Sequence, residues 1–418
     1  MLLLFAALAA TAAAADRPDR PDRPYLPPLL QFENGTRVAS AAAWGAARRP
    51  EVQRLLESTL LGAWPARLPR LVSATMINTT TTGNSGAVST FYRLTFAAGN
   101  ATNETNEADE ANETQIPFDI EVLAPKAAAR GGGGGGAPVK PPPLFLTQWN
   151  HREWALVGCQ RGYVSVRYPG ADTRDAAPAF QRAHPKATMM LIMARALVAH
   201  AVLDFFFSDH PLAPAFDHDQ VCITGHSRNG KQSLLAAAFD TRFTAVVGSS
   251  PGAPIASPYH FSSHNFYGEG PDAGNAGSWW LNSTASFASH PQDLPMDGHG
   301  VLASIAPRAC AVANGWTDHE GDISFADEYA ISSATEVYAL FDAESKLHIM
   351  HRPGDHHGFI LVDQYFDFFD VHFDRLAGAA AGFELSWAGD AAASGGSAAR
   401  LFSTNRFLTP AGFSWDKW

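Results

Sequence analysis

Residues 221–240 read VCITGHSRNGKQSLLAAAFD and carry the clearest structural pattern in this chain. This stretch opens with a short apolar segment that predicts a buried strand, passes through a turn, and ends with the spacing of a helix. Ser227 stands at the apex of the turn, two residues after Gly225, and a sharp turn of this kind can expose a serine as a nucleophile. Gly230 follows three residues after the serine, so the pattern G-x-S-x-G is not met. The alternative is that Ser227 only caps the helix, since serine is a preferred N-cap residue.

The segments around this turn predict a parallel sheet covered by helices on both faces. The strand-like segments are 144–149, 163–168, 243–250 and 310–315, and the helix-like ones are 187–207 and 230–239. Near-continuous apolar strands that alternate with helices occur where both faces of a sheet are buried. Together with the turn at Ser227, they predict an α/β-hydrolase fold, a three-layer sandwich with its active site beyond the carboxyl ends of the strands.

The segments before this sheet predict antiparallel structure. Residues 47–61 have the apolar spacing of a surface helix, and residues 71–97 and 116–125 indicate strands. Flexible insertions are expected near 99–114, which is acidic and polar, and near 130–143, where prolines follow a glycine run. We interpret the second insertion as part of a hairpin.

Composition excludes some classes of function. Of the 418 residues, 46% are hydrophobic and 17% are charged, which is typical of a globular protein with a substantial core. The formal net charge is −11, so no basic face for nucleic-acid binding is expected. Cys159, Cys222 and Cys310 are too few for a disulfide framework, and the last two are predicted to be buried thiols. No cysteine–histidine spacing indicates a zinc site, and the predicted function requires no metal or cofactor.

The N terminus predicts secretion. Residues 1–15, MLLLFAALAATAAAA, are uncharged and apolar, which indicates a signal peptide cleaved near Ala15, with a disordered tail as the alternative. The run is too short to span a bilayer, and no membrane association is expected after cleavage. A proline-rich segment at 16–24 would then precede one catalytic domain at 25–380, with no role assigned to 381–418. Sequons for N-glycans occur at Asn34, Asn78, Asn100, Asn103, Asn112 and Asn282.

The sequence G-H-S-R-N-G-K around Ser227 resembles the G-[CH]-S-R-x-G-K motif of the glucuronoyl esterases, carbohydrate esterase family fifteen. Three more segments resemble that family in the same order, namely 34–65, LPMDGHGVLASIAPRACAVANGWTDHEGD at 294–322, and RPGDHHGF at 352–359. The resemblance, to the bacterial-like branch, runs with gaps from about Asn34 to Phe369. It implies a secreted serine esterase that cleaves a carbohydrate ester, best matched by a glucuronoyl ester of a plant or algal wall polysaccharide.

The histidine loop RPGDHHGF offers two candidates for the general base, His356 and His357. In α/β-hydrolases the triad follows the chain order nucleophile, acid, histidine, so a late loop is the expected place. The resemblance implies that the histidine directly before glycine is catalytic. His357 is therefore predicted to be the base, and His356 is the alternative.

The acid is expected after the strand at 310–315. Asp318 is closest to the strand end and is predicted to hydrogen-bond His357, with Glu320 and Asp322 as the alternatives. Many glucuronoyl esterases instead carry a glutamate after the strand that follows the elbow. Here that segment reads VVGSSPGAPIAS and contains no carboxylate.

Four side chains are candidates for contact with the substrate. The resemblance implies that Arg228 stabilises the oxyanion and that Lys231 contacts hydroxyls of a uronate sugar, although Lys231 could also be a solvated helix residue. Trp280 is predicted to bind the substrate, because aromatic faces pack against sugars, and core packing is the alternative for it and for Trp279. His299 is expected to be structural.

Two other functions stay open from sequence alone. One is a polysaccharide acetyl esterase on the same scaffold. The other is a non-catalytic glycan-binding protein that keeps the fold. The intact set of Ser227, Asp318 and His357 argues against the second.

Overall fold

The structure, a computed structural model, describes residues 26–375 except 83–86, 100–112, 126–139, 172, 262–278, 319–323 and 359. The predicted signal peptide, the 16–24 segment and the 381–418 segment lie outside these residues, as does most of each predicted insertion. Within the described part, the chain forms a nine-stranded sheet in the order β1-β2-β3-β5-β4-β6-β7-β8-β9. The strands are β1 (Arg70–Thr82), β2 (Ala87–Ala98), β3 (Thr114–Ala124), β4 (Leu144–Gln148), β5 (Val164–Tyr168), β6 (Val221–His226), β7 (Ala245–Ser249), β8 (Ala309–Gly315) and β9 (Leu347–Arg352).

The helices cover the sheet from both sides. They are α1 (Ala41–Ala43), α2 (Arg49–Leu56), α3 (Arg152–Gln160), α4 (Ala177–Ala183), α5 (Leu191–Phe206), α6 (Arg228–Phe239), α7 (His299–Ile305), α8 (Ser324–Ala339) and α9 (Val362–His372). Wider helical turns at Trp44–Arg48 and Glu57–Leu61 join and extend the first two helices, so the predicted helix at 47–61 is confirmed and starts earlier. In the described ranges, no helix is both long enough and apolar enough to cross a membrane.

Alternate residues of the parallel strands point into two separate cores, which confirms the predicted three-layer α/β-hydrolase fold. On β6, Val221 and Ile223 pack into the larger core, while Cys222 packs into the smaller one. On β4, Phe145 lies in the smaller core against the aromatic rings of α9. Because both faces of these strands are covered, every residue of β4 and β6 is buried, and apolar residues do not simply alternate with polar ones.

The antiparallel half of the sheet follows the prediction, but one connection differs from it. Strands β1, β2 and β3 pair antiparallel, and β3 then pairs antiparallel with β5. The glycine-rich segment therefore joins β3 to β4, two strands separated by β5, and is not a hairpin. The acidic insertion is the one that joins neighbouring antiparallel strands, β2 and β3.

Candidate active site

Ser227 occupies a strained turn between β6 and α6. Its φ of 57° and ψ of −126° lie in a region that costs a non-glycine residue on the order of 1–3 kcal/mol. The turn is fixed from both sides, since the Ser227 N–H donates to the Ser249 carbonyl at 2.8 Å and the Ser227 carbonyl accepts from the Lys231 N–H at 2.9 Å. A nucleophile elbow has this geometry.

The side chain of Ser227 does not cap the helix that it precedes. No hydrogen bond joins its hydroxyl to the N–H groups of the first turn of α6. The hydroxyl is half-buried at the carboxyl edge of the sheet. The helix-cap alternative therefore has no support in the described turn. The hydroxyl is not engaged in capping and can act as a nucleophile.

The two glycines near the serine allow close backbone approach. A Cβ at Gly225 would lie 2.5 Å from the Asn229 carbonyl oxygen, and a Cβ at Gly230 would lie 2.8 Å from the Ser249 carbonyl oxygen. The second glycine is therefore required where α6 passes β7, three residues after Ser227. This explains why the departure from G-x-S-x-G leaves the turn intact.

The structure pairs the predicted acid with a different histidine from the one expected. Asp318 Oδ2 lies 2.8 Å from His356 Nδ1, and both side chains are buried. The prediction that Asp318 hydrogen-bonds His357 is therefore wrong. His357 is exposed and its backbone N–H donates to the Asp355 carboxylate, whereas the neighbouring His356 is buried. The alternative acids Glu320 and Asp322 lie outside the described residues.

A third imidazole, that of His226, lies beside this pair and was not anticipated from the sequence. Its Nε2 is 3.1 Å from His357 Nδ1, and its ring centre is 4.7 Å from that of His356. Burial, and then the neighbouring imidazoles, lower the pKa of His226 to about 2. His226 is therefore neutral and adds no positive charge beside the Asp318–His356 pair.

Arg352 holds the histidine loop and was also missed. It ends β9, it is buried, and its guanidinium donates to the carbonyl oxygens of Asp355, His356 and Gly358. It also donates to the Ser250 hydroxyl at 2.7 Å, which ties the loop to the chain after β7. One feature of the sequence points to it, a basic residue at the end of a strand-like segment and directly before the histidine loop.

Asp327 of α8 is a buried carboxyl behind the predicted acid. It accepts hydrogen bonds from the Ser257 hydroxyl and the Asn314 amide. Burial raises the pKa of Asp327 to about 7, and the negative charge of Asp318 adds to the effect. No motif marked this residue, because its environment is made by three separate parts of the chain.

Lys231 does not reach the surface. Its side chain is buried, and Nζ donates to the carbonyl oxygens of Pro251 at 2.5 Å and Ala253 at 2.8 Å. This placement contradicts both the predicted contact with a sugar and the solvated alternative. The lysine instead holds the chain that leaves β7.

Of the two adjacent tryptophans, Trp280 is buried and Trp279 is half-buried. Trp280 is 1% exposed and packs in the larger core, which contradicts its predicted substrate contact. The exposed guanidinium of Arg228 lies 5.7 Å from the Trp279 ring centre, at the start of α6. Arg228 and Trp279 are therefore the pair that faces the elbow. His299, as expected, is buried, with Nε2 at 2.8 Å from the Pro27 carbonyl oxygen.

The strand order and the strained turn after β6 define the class of this protein, which is an α/β-hydrolase by fold. Within that class, the chain resembles the glucuronoyl esterases, as the motifs predicted. The sequence model of the family described as glucuronyl esterase of fungi matches residues 170–341.

Individual relatives agree with this resemblance. A carbohydrate esterase of an unknown prokaryotic organism is 25% identical over 356 residues, which is 75% of this chain and 78% of the relative. A 4-O-methyl-glucuronoyl methylesterase of Hypocrea jecorina is 28% identical over 111 residues, a quarter of this chain and 24% of that protein. Among solved structures, a glucuronoyl esterase from Teredinibacter turnerae superposes with a TM-score of 0.65 at 22% identity, covering 83% of this chain and 89% of the other.

Proposed function

We propose that this chain is a serine esterase that hydrolyses glucuronoyl esters, with Ser227 as nucleophile, His356 as general base and Asp318 as the acid. The observation that carries the proposal is the 2.8 Å contact between Asp318 and His356 in the loops beyond β8 and β9, at the same edge of the sheet as the strained Ser227. The resemblance to glucuronoyl esterases supplies the class of ester.

The Asp318 contact sets the tautomer of the base. A carboxylate on Nδ1 keeps the proton at that nitrogen, so Nε2 of His356 has a lone pair to accept a proton. His356 would take the hydroxyl proton of Ser227 as its Oγ attacks the ester carbonyl. Asp318 would stabilise the imidazolium that forms.

The N-terminal end of α6 is suited to the negative charge that develops next. Backbone N–H groups at a helix start, together with the guanidinium of Arg228, stabilise an oxyanion. The tetrahedral intermediate then expels the alcohol, which leaves with the proton from His356. Water, activated by the same histidine, hydrolyses the acyl-enzyme and releases the uronate.

The test is hydrolysis of methyl 4-O-methyl-glucuronate compared with acetylated xylan. In the first ester the sugar is on the acyl side, and in the second it is on the alcohol side. We expect activity on the glucuronate ester and a loss of about 10⁴-fold or more in Ser227→Ala. Preference for acetylated xylan would replace the proposal with an acetyl esterase, and inertness toward both would favour a glycan-binding protein.

The two neighbouring histidines provide a matched pair of variants. His356→Ala should lose on the order of 10⁴-fold in kcat, whereas His357→Ala should lose less than about tenfold. The reverse result would restore His357 as the base and would leave the ester class untouched.

The natural substrate is proposed to be a cell-wall polysaccharide ester outside the cell. Residues 1–15 support this location through their resemblance to a signal peptide. Mass spectrometry of material secreted from a eukaryotic host should show a mature chain that begins near Asp16. A mature chain that retains Met1 would contradict it.

A further inference from the structure

Three imidazoles meet at the edge of the sheet, although their residues come from two loops. His226 ends β6, while His356 and His357 follow β9. One ring nitrogen from each lies within 4.8 Å of the other two. Within the described ranges, no other three side chains of histidine, cysteine, aspartate or glutamate come this close.

In two of these rings, the nitrogen that faces away from the cluster makes the kind of hydrogen bond that metal-binding histidines make. A metal-bound histidine usually donates its second ring N–H to a carboxylate, carbonyl or other acceptor, which fixes the tautomer and aims the free nitrogen. The His356 ring has this arrangement, with Nδ1 on Asp318. The His226 ring has it as well, with Nδ1 at 3.2 Å from the Ser249 hydroxyl, which in turn accepts from the Tyr365 hydroxyl at 2.8 Å.

The spacing fits a small divalent ion after a modest movement. At a Zn–N distance of 2.0–2.1 Å, tetrahedral coordination separates two ligand nitrogens by about 3.3–3.4 Å. His226 Nε2 and His357 Nδ1 are already 3.1 Å apart. The ring nitrogen of His356 lies within 4.8 Å of the other two ring nitrogens, so these two separations must shorten by at most roughly 1.4 Å. His357 is exposed, so its ring can supply this movement.

We propose that the imidazoles of His226, His356 and His357 form a binding site for Zn²⁺ that reversibly inhibits the enzyme. Three imidazoles with an open fourth position are a donor set for zinc and neighbouring transition metals, and not for Ca²⁺ or Mg²⁺, which take oxygen ligands. On binding, the ring that donates the hydrogen bond between His226 Nε2 and His357 Nδ1 moves that proton to its other nitrogen, so both facing nitrogens can bind the ion. The inhibition rests on the proposed function, because an ion on His356 Nε2 occupies the lone pair that would accept the serine proton.

Binding can be measured without catalysis, which separates this proposal from the esterase proposal. Calorimetric titration of the Ser227→Ala protein with ZnCl₂ should show one saturable site, and Co²⁺ as a spectroscopic probe should give the visible absorption of a low-coordinate nitrogen site. His357→Gln should weaken zinc binding by at least 10–100-fold, the loss typical of altering even an outer contact of a metal ligand. His290→Gln, at an exposed histidine of another loop, is the matched control and should bind as the parent protein does.

The activity assay then tests the consequence. In the parent enzyme, which keeps Ser227, ZnCl₂ should abolish ester hydrolysis and a chelator should restore it. MgCl₂ at the same concentration should have no effect on hydrolysis. In His357→Gln, the concentration for half inhibition should rise by the same factor as the dissociation constant. Absence of saturable binding below about 100 μM, or equal binding by His357→Gln and the parent protein, would overturn the site. Binding at one site without inhibition would overturn the role of His356 as a ligand.

Discussion

The buried carboxyl of Asp327 should leave a signature in the pH dependence of protein stability, and Asp327→Asn tests it. The pKa of Asp327 is raised to about 7 from 3.8, because burial disfavours the carboxylate and the charge of Asp318 repels it. Between these two values the folded protein keeps a proton that the unfolded chain has lost. In this window the unfolded state binds fewer protons, so the free energy of unfolding falls as the pH rises.

The size of this fall follows from the shift. A shift of roughly three pKa units, at 1.36 kcal/mol per unit, corresponds to on the order of 4 kcal/mol. The contribution of Asp327 to stability is fully present below about pH 4 and is lost as the pH rises through about 7. Asparagine cannot ionise, so the variant should lack this loss.

Asparagine can also keep both hydrogen bonds of the site. Asn314 Oδ1 is buried without a partner in the structure, and rotation of its amide would place that oxygen against the new amide N–H₂. The Ser257 hydroxyl would still donate to the oxygen of the variant side chain. The variant is therefore close to an isostere of protonated Asp327.

The assay is urea unfolding of both proteins at several pH values from about 4.5 to 8.5, followed by tryptophan fluorescence. The difference in unfolding free energy, variant minus parent, should grow by roughly 3 kcal/mol between pH 4.5 and about pH 7.5 and then flatten, because roughly 1 kcal/mol of the full effect is already lost below pH 4.5. Asp342→Asn, at an exposed carboxyl, is the control and should give a flat difference. A pH-independent difference for Asp327→Asn, or one that shrinks with rising pH, would refute the reasoning.

Four further substitutions test the placement of single side chains. Gly230→Ala should destabilise the protein by about 1–3 kcal/mol, measured as a lower melting temperature, since the new Cβ would meet the Ser249 carbonyl oxygen at 2.8 Å. Lys231→Met should lower the free energy of unfolding, measured in urea, by about 1–3 kcal/mol, because the variant cannot donate to two buried carbonyl groups. Trp280→Phe should lower stability without changing KM, whereas Trp279→Ala should raise KM for the glucuronate ester; the opposite pattern would show that Trp280 contacts the substrate.

The sequence predicted the elements of the parallel sheet and the place of the serine because both are local properties. An apolar run flanked by turn residues specifies a strand, and the segment around Ser227 specifies the strand, the turn and the helix together. The error in the fold concerns a pairing across the sheet. The glycine-rich segment lies between two strands, which favours a hairpin, and only the sheet order shows that β5 separates those strands.

The choice between His356 and His357 could not be made from their order in the chain. Adjacent residues of a loop point in different directions, and here the Asp355 carboxylate turns the following N–H groups so that His356 faces Asp318. Burial of Lys231 was equally hidden, since a cation at the start of a helix is usually solvated. Its position depends on two carbonyl groups some twenty residues along the chain.

The surroundings of the three imidazoles support the proposal that one of them, His356, is the base. Positive charges this close repel one another, so the catalytic proton must be directed to a single ring. His226 is kept neutral by burial, and its low pKa removes it from competition. His357 is exposed and faces His226 rather than a carboxylate among the described residues. Asp318 contacts His356, so in the proposed mechanism it would stabilise an imidazolium on that ring. The same arrangement that favours His356 as the base brings one ring nitrogen of each histidine within 4.8 Å of the other two, so a general base and an inhibitory zinc site can share these residues.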